Sequence, residues 1–543
     1  MKDLFKEIYL SYGVNYFSDD CVLKNIIDYF DFNVDNEMHN LGNYVSTELI
    51  EGLDYIDHYA KPELQTWSIT GKRIDYVRLS PHHREMLSKL QNFGIIRNSI
   101  KNDKISLINH FLSGYVISDS GIFCTFTLTE QTLYGLFKYG SEQLKAQYLN
   151  KFIDVKNPWY GATFYSELQG GSDIGNNNTL AVPTDGHYTL NGRDKYFASD
   201  AGIADASIVT AKTDLKQNGA KYISVYFVPA YFNDTLNYNI RRLKNKMGTV
   251  AVPTGEVEMN NSIGYILGDI KNGIYIAMEI LTISRIDDAI AATGIARKAL
   301  WEAYKYANIR EAFGKKLIKH PLMRRDFIEN EINLEAATIL SFAAASSFEK
   351  SINSKPPYDD SYNYARILSH ISKNMASSTA NYITEYAMEM MGGIGFFEEF
   401  PMAKFHRDSI VTSIWEGTSN IQAIDAMESL FKKDTLEMLM NDMANKKKGF
   451  DEEISSIMDN SLEIIKGKIN NMRKNNPEFY AKELLNDIGK LMAGVYLLDA
   501  GLSTNNEHFI KSGKLYFYIN YGNRDYYDLI EDSDAIINWM NAE

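Results

Sequence analysis

The sequence predicts a mainly α-helical protein with a central β-barrel, built from four consecutive parts. Residues 1–154 and 271–435 carry apolar side chains at spacings of three and four, which is typical of amphipathic helices. Residues 155–270 change to alternation and turn residues, which predicts short strands closing into a small barrel. Residues 436–543 return to helical spacing. We therefore expect a helical N-terminal domain, a β-barrel, a four-helix bundle and an additional helical C-terminal lobe.

The first domain reads as mostly helical with loops. A helical fragment follows Pro81, and clearer helices cover Ser106 to Ile117 and Phe126 to Phe137. Ser141 begins another helix, whose first turn is acidic. These helices are predicted to form one lobe.

The second domain contains a strong hairpin signal. The strand-like run Tyr188 to Leu190 leads into Asn191-Gly192, a dipeptide favoured in two-residue turns, and Lys195 to Ala198 follows. The other predicted strands are Tyr222 to Val228 and Gly255 to Met259, the latter ending at a turn at Asn260-Asn261.

The third domain shows four long helical patterns. The first is expected to run to about Ala312, the second begins at Pro321, and the third ends at Gly392-Gly393. The fourth starts near Ser419, which is expected to cap it, and buries Ile421, Ile424, Met427 and Leu430. Four long helices in one block predict a four-helix bundle.

Composition limits the possible functions. The net charge of −14 argues against nucleic acid or an anionic membrane as the main partner. Cys21 and Cys124 form no CxxC pattern and no metal cluster, so no metal site and no disulfide framework is predicted. The N-terminus lacks an apolar signal region, and no apolar run of 18 residues occurs. We expect a cytoplasmic protein that does not bind membranes.

The segment from Thr412 to Asn420 carries the main chemical hypothesis. Glu416 follows Trp415 and precedes Gly417, which allows another molecule to approach closely. A carboxylate desolvated against an indole should have a raised pKa, as a general base for a weakly acidic carbon requires. The alternative is a glutamate that only stabilises the N-terminus of the next helix.

Four other segments have possible chemical roles, each with a simpler alternative. Ser166 to Asp173 exposes backbone N–H groups that suit a pyrophosphate or a flavin edge, or it is a surface turn. Lys195 to Ser199 could flank a planar ring or belong to the core. Arg310 to Gly314 could clamp a phosphate or be a solvated helix end. Met391 to Phe396 permits close approach to a ligand or is a helix cap, and it lacks the strand context of a Rossmann site.

Taken in order, these segments resemble the acyl-CoA dehydrogenase family over roughly residues 120–430. The run Gln169 to Asp173, Ala387-Met388-Glu389 and Ser413 to Gly417 are similar to the AidB-like (adaptive-response) branch of that family. Pro81-His82-His83 and the additional C-terminal lobe also resemble this branch.

The resemblance implies FAD as cofactor and an acyl-CoA as substrate. Glu416 matches the family's catalytic base, which removes the proton α to a thioester carbonyl while a hydride leaves the β carbon for flavin N5. Some relatives carry the base on the first bundle helix, where this chain has Ser284, and Arg285 beside it would line the active site. The residues expected to bind FAD, or in part the acyl thioester, are Ser166, Gly171, Ser172, Phe197, Ser199, Arg310, Phe313, Glu389, Gly393, Thr418 and Asn420. Arg310 and Phe313 would reach the FAD of a neighbouring subunit, together with Glu389 and Gly393.

Three positions depart from many dehydrogenases. Glu389 and Asn420 stand where many members have Gln, and Phe197 stands where many have Trp. The departures agree with the AidB-like branch, so FAD binding is still expected, while efficient dehydrogenation of one particular acyl-CoA is a weaker expectation.

Three functional hypotheses follow from the resemblance. The first is an FAD-dependent acyl-CoA dehydrogenase that passes electrons to an electron-transferring flavoprotein and forms homotetramers or homodimers. The second is an AidB-like flavoprotein of the alkylation-damage response with weak dehydrogenase activity. The third is an acyl-CoA or nitroalkane oxidase. DNA binding is not transferred from the branch, because Lys446-Lys447-Lys448 is offset by Asp451-Glu452-Glu453 and by Glu531 to Asp534.

Overall fold

The chain divides into two compact units. The computed structural model describes residues 4–433, 435–474, 477–522 and 536–537, so the acidic run Glu531 to Asp534 lies outside the described residues. The helical unit comprises Met1–Ile50, Leu107–Ser118 and Arg285–Glu543, and the sheet unit comprises Glu51–Ser106 and Asp119–Ser284. The predicted fold class, mainly α-helical with a central β region, is confirmed. Within the described ranges, no helix has both the length and the apolar character that a membrane crossing requires.

The helices account for most of the described chain. In chain order they are α1 (Cys21–Phe30), α2 (Met38–Tyr44), α3 (Ile50–Tyr59), α4 (Pro81–Asn92), α5 (Ile108–Ile117), α6 (Ser120–Tyr139), α7 (Glu142–Phe152), α8 (Gly273–Ile309), α9 (Pro321–Lys350), α10 (Asp360–Met391), α11 (Pro401–Val411), α12 (Ser419–Lys432), α13 (Thr435–Lys446), α14 (Glu452–Lys474), α15 (Ala481–Thr504) and α16 (Glu507–Tyr521). Local sequence signals explain where several of these helices begin. Pro81 occupies the first turn of α4, and the Ser141 side chain accepts the N–H of Leu144 at the start of α7.

The strands are shorter, and most belong to the sheet unit. In chain order they are β1 (Glu63–Trp67), β2 (Arg73–Arg78), β3 (Ile100–Lys101), β4 (Lys104–Ile105), β5 (Gly161–Phe164), β6 (Leu180–Thr184), β7 (His187–Ser199), β8 (Ala206–Lys212), β9 (Ile223–Pro229), β10 (Tyr231–Phe232), β11 (Thr235–Leu236), β12 (Asn239–Leu243), β13 (Thr254–Ile266), β14 (Glu311–Ala312) and β15 (Lys315–Lys316). The hairpins β1–β2 and β3–β4 interrupt a region that the sequence analysis expected to contain only helices and loops.

A seven-stranded sheet forms the centre of the sheet unit. Its strand order is β12-β13-β7-β6-β8-β5, and β9 pairs with both β13 and β8. The pairings therefore close a ring of five strands (β13, β7, β6, β8 and β9), which is the closure that a small barrel requires. Every residue of β8 and β9 is buried, consistent with their apolar sequences.

The hairpin predicted at Asn191-Gly192 is wrong. Strand β7 runs without a break through these residues, and the two-residue turn lies earlier, at Asp185-Gly186, between β6 and β7. Gly186 has φ of +77°, which this turn needs. Gly192 serves a different purpose, because a Cβ there would lie 3.1 Å from the Cα of Thr179. The glycine allows close backbone approach within the sheet.

The turn predicted at Asn260-Asn261 is also wrong. Strand β13 continues to Ile266, and its register against β7 shifts between Met259 and Ser262. Asn261 has φ of 53°, and its N–H donates to the Asn191 side chain at 2.9 Å. The two asparagines therefore form a β-bulge rather than a turn.

Helix α8 ends earlier than expected. It stops at Ile309 instead of about Ala312, because Glu311 and Ala312 pair with Lys316 and Lys315 in the hairpin β14–β15. In the helical unit, α8 and α10 contribute alanines to one buried cluster: Ala289, Ala292, Ala296, Ala299, Ala303 and Ala307 from α8, with Ala376, Ala380 and Ala387 from α10. Small side chains permit close approach of helix backbones.

Candidate active site

Glu416 lies in the loop of the helical unit that joins α11 to α12. Its backbone is left-handed, with φ of 57°, and Gly417 follows with φ of 98°. A glutamate in this conformation is strained, and such strain persists where the surroundings fix it. The side chain is half-buried.

The start of α12 differs from the prediction. Thr418, not Ser419, is the N-cap residue, and its side chain makes no capping hydrogen bond. Ile424 is 43% exposed, whereas Met427 and Leu430 are buried. The buried face of α12 instead includes Gln422. The side chain of this residue is polar and hydrogen-bonds to the loop.

Buried side chains hold the backbone of the Glu416 loop. Lys373 Nζ donates to the carbonyls of Thr412 and Gly417, at 2.9 and 3.0 Å. Gln422 Nε2 donates to the carbonyls of Glu416 and Gly417, at 3.0 and 2.9 Å. Arg285 Nε donates to the Glu416 carbonyl at 3.1 Å. Three side chains from α8, α10 and α12 thus fix the loop and explain how it maintains a strained residue.

A second acidic residue, Asp288, lies beneath the loop. Trp415 Nε1 donates to its Oδ1 at 2.5 Å, and Lys373 Nζ lies 3.2 Å from its Oδ2. Burial raises the pKa of Asp288 to about 8; Lys373 and Trp415 oppose this rise and the charge of Glu416 adds to it. Burial also lowers the pKa of Lys373, against the stabilising charge of Asp288.

Arg285, the predicted active-site arginine, is buried beside the loop. Besides the Glu416 carbonyl it binds Asp425, with Nη2 3.2 Å from Oδ2. Among the described residues its Nη1 has no hydrogen-bond partner. Burial favours the neutral form of Asp425, but the nearby positive charges, including Arg285 and Arg366, outweigh it and hold the pKa of Asp425 below its usual value. The structure therefore brings Arg285 to the backbone of Glu416.

His370 supports the loop indirectly. Burial lowers its pKa to about 3, so the imidazole is neutral. Its Nδ1 lies 2.7 Å from Gln422 Oε1. Because the Gln422 amide nitrogen donates to the loop carbonyls, its oxygen must accept, and His370 Nδ1 carries the proton.

In the sheet unit, the segment from Ser166 to Asp173 forms a tight turn. Glu167 and Gly170 exchange backbone hydrogen bonds of 3.0 and 3.1 Å. The buried Glu167 carboxylate accepts from Lys195 Nζ at 2.8 Å and from Thr179 Oγ1 at 2.5 Å. Burial works against the charge of Glu167, but Lys195 and the hydrogen bonds outweigh it and lower its pKa. The turn is anchored by one buried ion pair.

The predicted cofactor residues of this unit lie on the turn and on β7. Gly171 and Ser172 are exposed, and a Cβ on Gly171 would lie 3.7 Å from the Ser166 hydroxyl. Phe197 is 57% exposed, and Ser199 follows it two residues later on the same face of β7. The structure brings Ser166 next to Gly171.

The remaining predicted cofactor residues of the helical unit are exposed. Phe313 is 97% exposed at the tip of the hairpin β14–β15, and Arg310 precedes this hairpin. The other exposed members are Glu389, Gly393, Thr418 and Asn420. Thr418 and Asn420 lie next to Glu416 along the chain, whereas the described contacts bring neither Arg310 nor Glu389 to the Glu416 loop.

Sequence reasoning missed the residues that hold the loop. Asp288 and Lys373 are the clearest cases, since each is a charged residue buried within a long helix. A charged residue on the apolar face of a predicted helix was the available signal. Gln422 and Asp425, on α12, were missed in the same way.

Three family models match consecutive parts of the chain. The acyl-CoA dehydrogenase middle domain matches residues 162–262 and the acyl-CoA dehydrogenase C-terminal domain matches residues 271–431. The adaptive response protein AidB N-terminal domain matches residues 10–156.

Individual relatives agree with these matches. A short-chain specific acyl-CoA dehydrogenase of Megasphaera elsdenii is 31% identical over 309 residues, which cover 56% of this chain and 76% of that protein. AidB of Escherichia coli is 27% identical over 430 residues, or 76% of this chain and 77% of that protein. The crystal structure of Caenorhabditis elegans ACDH-11 in complex with C11-CoA has a TM-score of 0.83 at 20% identity and covers 97% of this chain and 95% of that one.

The chain belongs to the acyl-CoA dehydrogenase family. The family uses FAD, and its members are oxidoreductases that act on CH–CH bonds of acyl-CoA. The resemblance to this family and to its AidB-like branch is confirmed.

Proposed function

We propose that the protein oxidises an acyl-CoA thioester between its α and β carbons, with Glu416 as the base that removes the α proton. The observation that carries this proposal is the Glu416 loop, in which buried donors fix the backbone on both sides of a strained carboxylate residue. A general base must be held in one position relative to the proton it removes, and this loop supplies that rigidity.

The residues predicted to hold FAD fit such a group chemically. Gly171 leaves space for close approach, Gly393 has nothing within 4 Å of its Cβ position, and Thr418 leaves the first N–H groups of α12 without a side-chain cap. Exposed backbone N–H groups and hydroxyls suit a pyrophosphate, and Phe197 offers an exposed ring to a planar group. Bound FAD would supply the hydride acceptor.

The other residues near Glu416 have supporting parts in this proposal. Arg285 fixes the Glu416 carbonyl and places a positive charge near the carboxylate. The raised pKa expected for Glu416 remains a prediction. We also propose an electron-transferring flavoprotein as electron acceptor and a homotetramer or homodimer, in which the exposed Arg310 and Phe313 contribute to the neighbouring FAD site.

The test is an anaerobic titration of the FAD-loaded protein with short, branched and long acyl-CoAs. We expect one class to bleach the oxidised flavin band, and Glu416→Gln to slow this by about a thousandfold because the base is lost. Glu428→Gln, which changes an exposed glutamate on α12, is the matched control and should react normally. Bound FAD that no acyl-CoA reduces would contradict the proposal.

The same protein in air separates the oxidase hypothesis from the dehydrogenase. Stoichiometric peroxide from an acyl-CoA or a nitroalkane would favour an oxidase. Reduction that needs an electron-transferring flavoprotein for turnover would favour the dehydrogenase.

A further inference from the structure

Asp288 is a buried acid that the proposed reaction does not use. Only 5% of the residue is exposed, and it sits on α8 directly below the Glu416 loop. Its carboxylate contacts two groups that bear on Glu416: the indole of the preceding residue, Trp415, and the ammonium of Lys373.

We propose that Asp288 is a positioning residue for Glu416, and that its gain or loss of a proton changes the basicity of the Glu416 carboxylate. This inference rests on the proposed function of Glu416 and adds to it a second ionisable group that controls the base.

Asp288 supports the Glu416 loop through two contacts. Asp288 orients Trp415 through the indole N–H, and Trp415 is bonded to Glu416 in the chain. Asp288 also anchors Lys373, whose Nζ holds the carbonyls of Thr412 and Gly417 on the two sides of Glu416. One carboxylate thus supports the loop from both ends. Its loss should displace Glu416 without removing any atom that touches substrate.

The charges of Asp288 and Glu416 also influence each other. The groups that face Asp288 are Lys373 from α10 and Trp415 and Glu416 from the loop, while Arg285 on α8 faces Glu416. The charge of Glu416 raises the pKa of Asp288, which burial has already raised, to about 8. Coupling between two sites is reciprocal, so ionised Asp288 raises the proton affinity of Glu416 to the same extent. Above about pH 8, therefore, Glu416 should be the stronger base.

The main experiment compares the wild-type protein with Asp288→Asn and Asp288→Ala. The rate of anaerobic flavin reduction by the best acyl-CoA is measured in single turnovers from pH 6 to 10. The wild-type rate should rise through pH 8. Asparagine keeps an acceptor for Trp415 but cannot ionise, so its rate should match the wild type at pH 6.5 and fall about threefold below it at pH 9.5. Alanine should be slower at every pH. An asparagine variant slowed equally at all pH values would overturn the coupling and leave a purely structural residue.

A second measurement does not depend on turnover. Protein labelled with 5-fluorotryptophan is titrated by ¹⁹F NMR, and Trp415→Phe identifies the Trp415 resonance. We expect this resonance to shift with a midpoint near pH 8 and to lose the shift in Asp288→Asn. Asp287→Asn is the matched control, because that neighbouring acid binds His110 instead. A Trp415 resonance that is constant from pH 6 to 10 would overturn the proposal, even if no acyl-CoA is found to be a substrate. Conversely, a normal shift without any flavin reduction would count only against the proposed function.

Discussion

The Lys195–Glu167 pair of the sheet unit and the Lys373–Asp288 pair of the helical unit each place a lysine against a carboxyl group, at similar separations of 2.8 and 3.2 Å. Both are buried, and both hold an irregular loop that carries predicted site residues. They differ in the surroundings of the carboxylate. Glu167 accepts additional hydrogen bonds from Thr179 and Asn178, and its pKa is lowered. Asp288 has one additional donor, Trp415, and burial raises its pKa to about 8.

A neighbouring lysine alone does not decide whether a buried acid stays charged. At Glu167 the charge of Lys195 acts together with several hydrogen bonds to lower the pKa, whereas at Asp288 burial outweighs Lys373 and Trp415. Glu167 has enough donors to replace water, so it remains ionised across the physiological range. Asp288 does not, so its charge depends on pH. The first pair suits a permanent anchor for a turn, and the second suits a group that responds to its neighbours.

The largest expected effect comes from Lys195→Met. The substitution leaves an ionised Glu167 buried without its counter-charge, which should cost about 4 kcal/mol of unfolding free energy. Urea unfolding at pH 7, followed by circular dichroism, measures the loss. Lys145→Met is the control, because Lys145 pairs with Glu142 on the exposed face of α7 and should cost less than about 1 kcal/mol. Equal losses in the two variants would contradict the assigned role of the buried pair.

Lys373→Met should cost less than Lys195→Met, about 2 kcal/mol at pH 7, although Lys373 is equally buried. With its pKa raised to about 8, Asp288 is largely protonated at pH 7, so the variant leaves no full uncompensated charge buried, and each of the two loop carbonyls retains a second donor. A double-mutant cycle with Asp288→Asn tests the reason. The coupling energy should be small at pH 6.5 and larger at pH 9.5. A coupling energy that does not change with pH would show that Asp288 does not titrate in this range.

A smaller effect is expected on the pH dependence of the unfolding free energy, and its direction follows from the raised pKa of Asp288. A carboxyl group whose folded pKa is raised contributes stability that is complete below its unfolded pKa and is lost as the pH rises through the folded pKa. With that pKa at about 8, Asp288 should reduce the unfolding free energy by about 1 kcal/mol between pH 7 and pH 9. Asp288→Asn should remove this decrease, as measured by urea unfolding at both pH values. Glu167, whose pKa is lowered, should instead lose its contribution only in acid, which Glu167→Gln can test below pH 5.

The smallest expected effect on folding is that of Gly171→Ala, below about 0.5 kcal/mol, because the new methyl group meets only ordinary contacts. If Gly171 borders the cofactor, FAD affinity should fall at least tenfold, which fluorescence titration of the apoprotein with FAD measures. Gly170→Ala is the contrasting variant, since its Cβ would lie 2.8 Å from the Asp173 carbonyl oxygen and should destabilise the turn itself. Unchanged FAD affinity in Gly171→Ala would remove this residue from the proposed site.

Local signals predicted much of the fold. Pro81 and Ser141 marked helix starts correctly because a proline at the first turn and a serine cap act within a few residues. Asn191-Gly192 failed because a turn dipeptide and a glycine needed for close approach look identical in sequence. The approach of Thr179 that decides between them is a tertiary contact.

The candidate site was predictable to a similar degree. Glu416 and Arg285 were predicted as site residues through the resemblance, and the structure places Arg285 against the Glu416 carbonyl. The Asp288–Lys373 pair was not found, because the two residues lie on different helices and neither belongs to a motif. Only the three-dimensional structure shows that both lie beneath the loop.

The hairpin tip at Phe313-Gly314 has a thermodynamic consequence. Both residues have positive φ values, 52° and 79°, in the shortest turn that can join two strands. The turn has little conformational entropy left to lose, while Phe313 presents 97% of its surface to solvent. A surface that covers this ring would gain about 2 kcal/mol from burial of its apolar area, and ordering of the turn itself would subtract little from that gain.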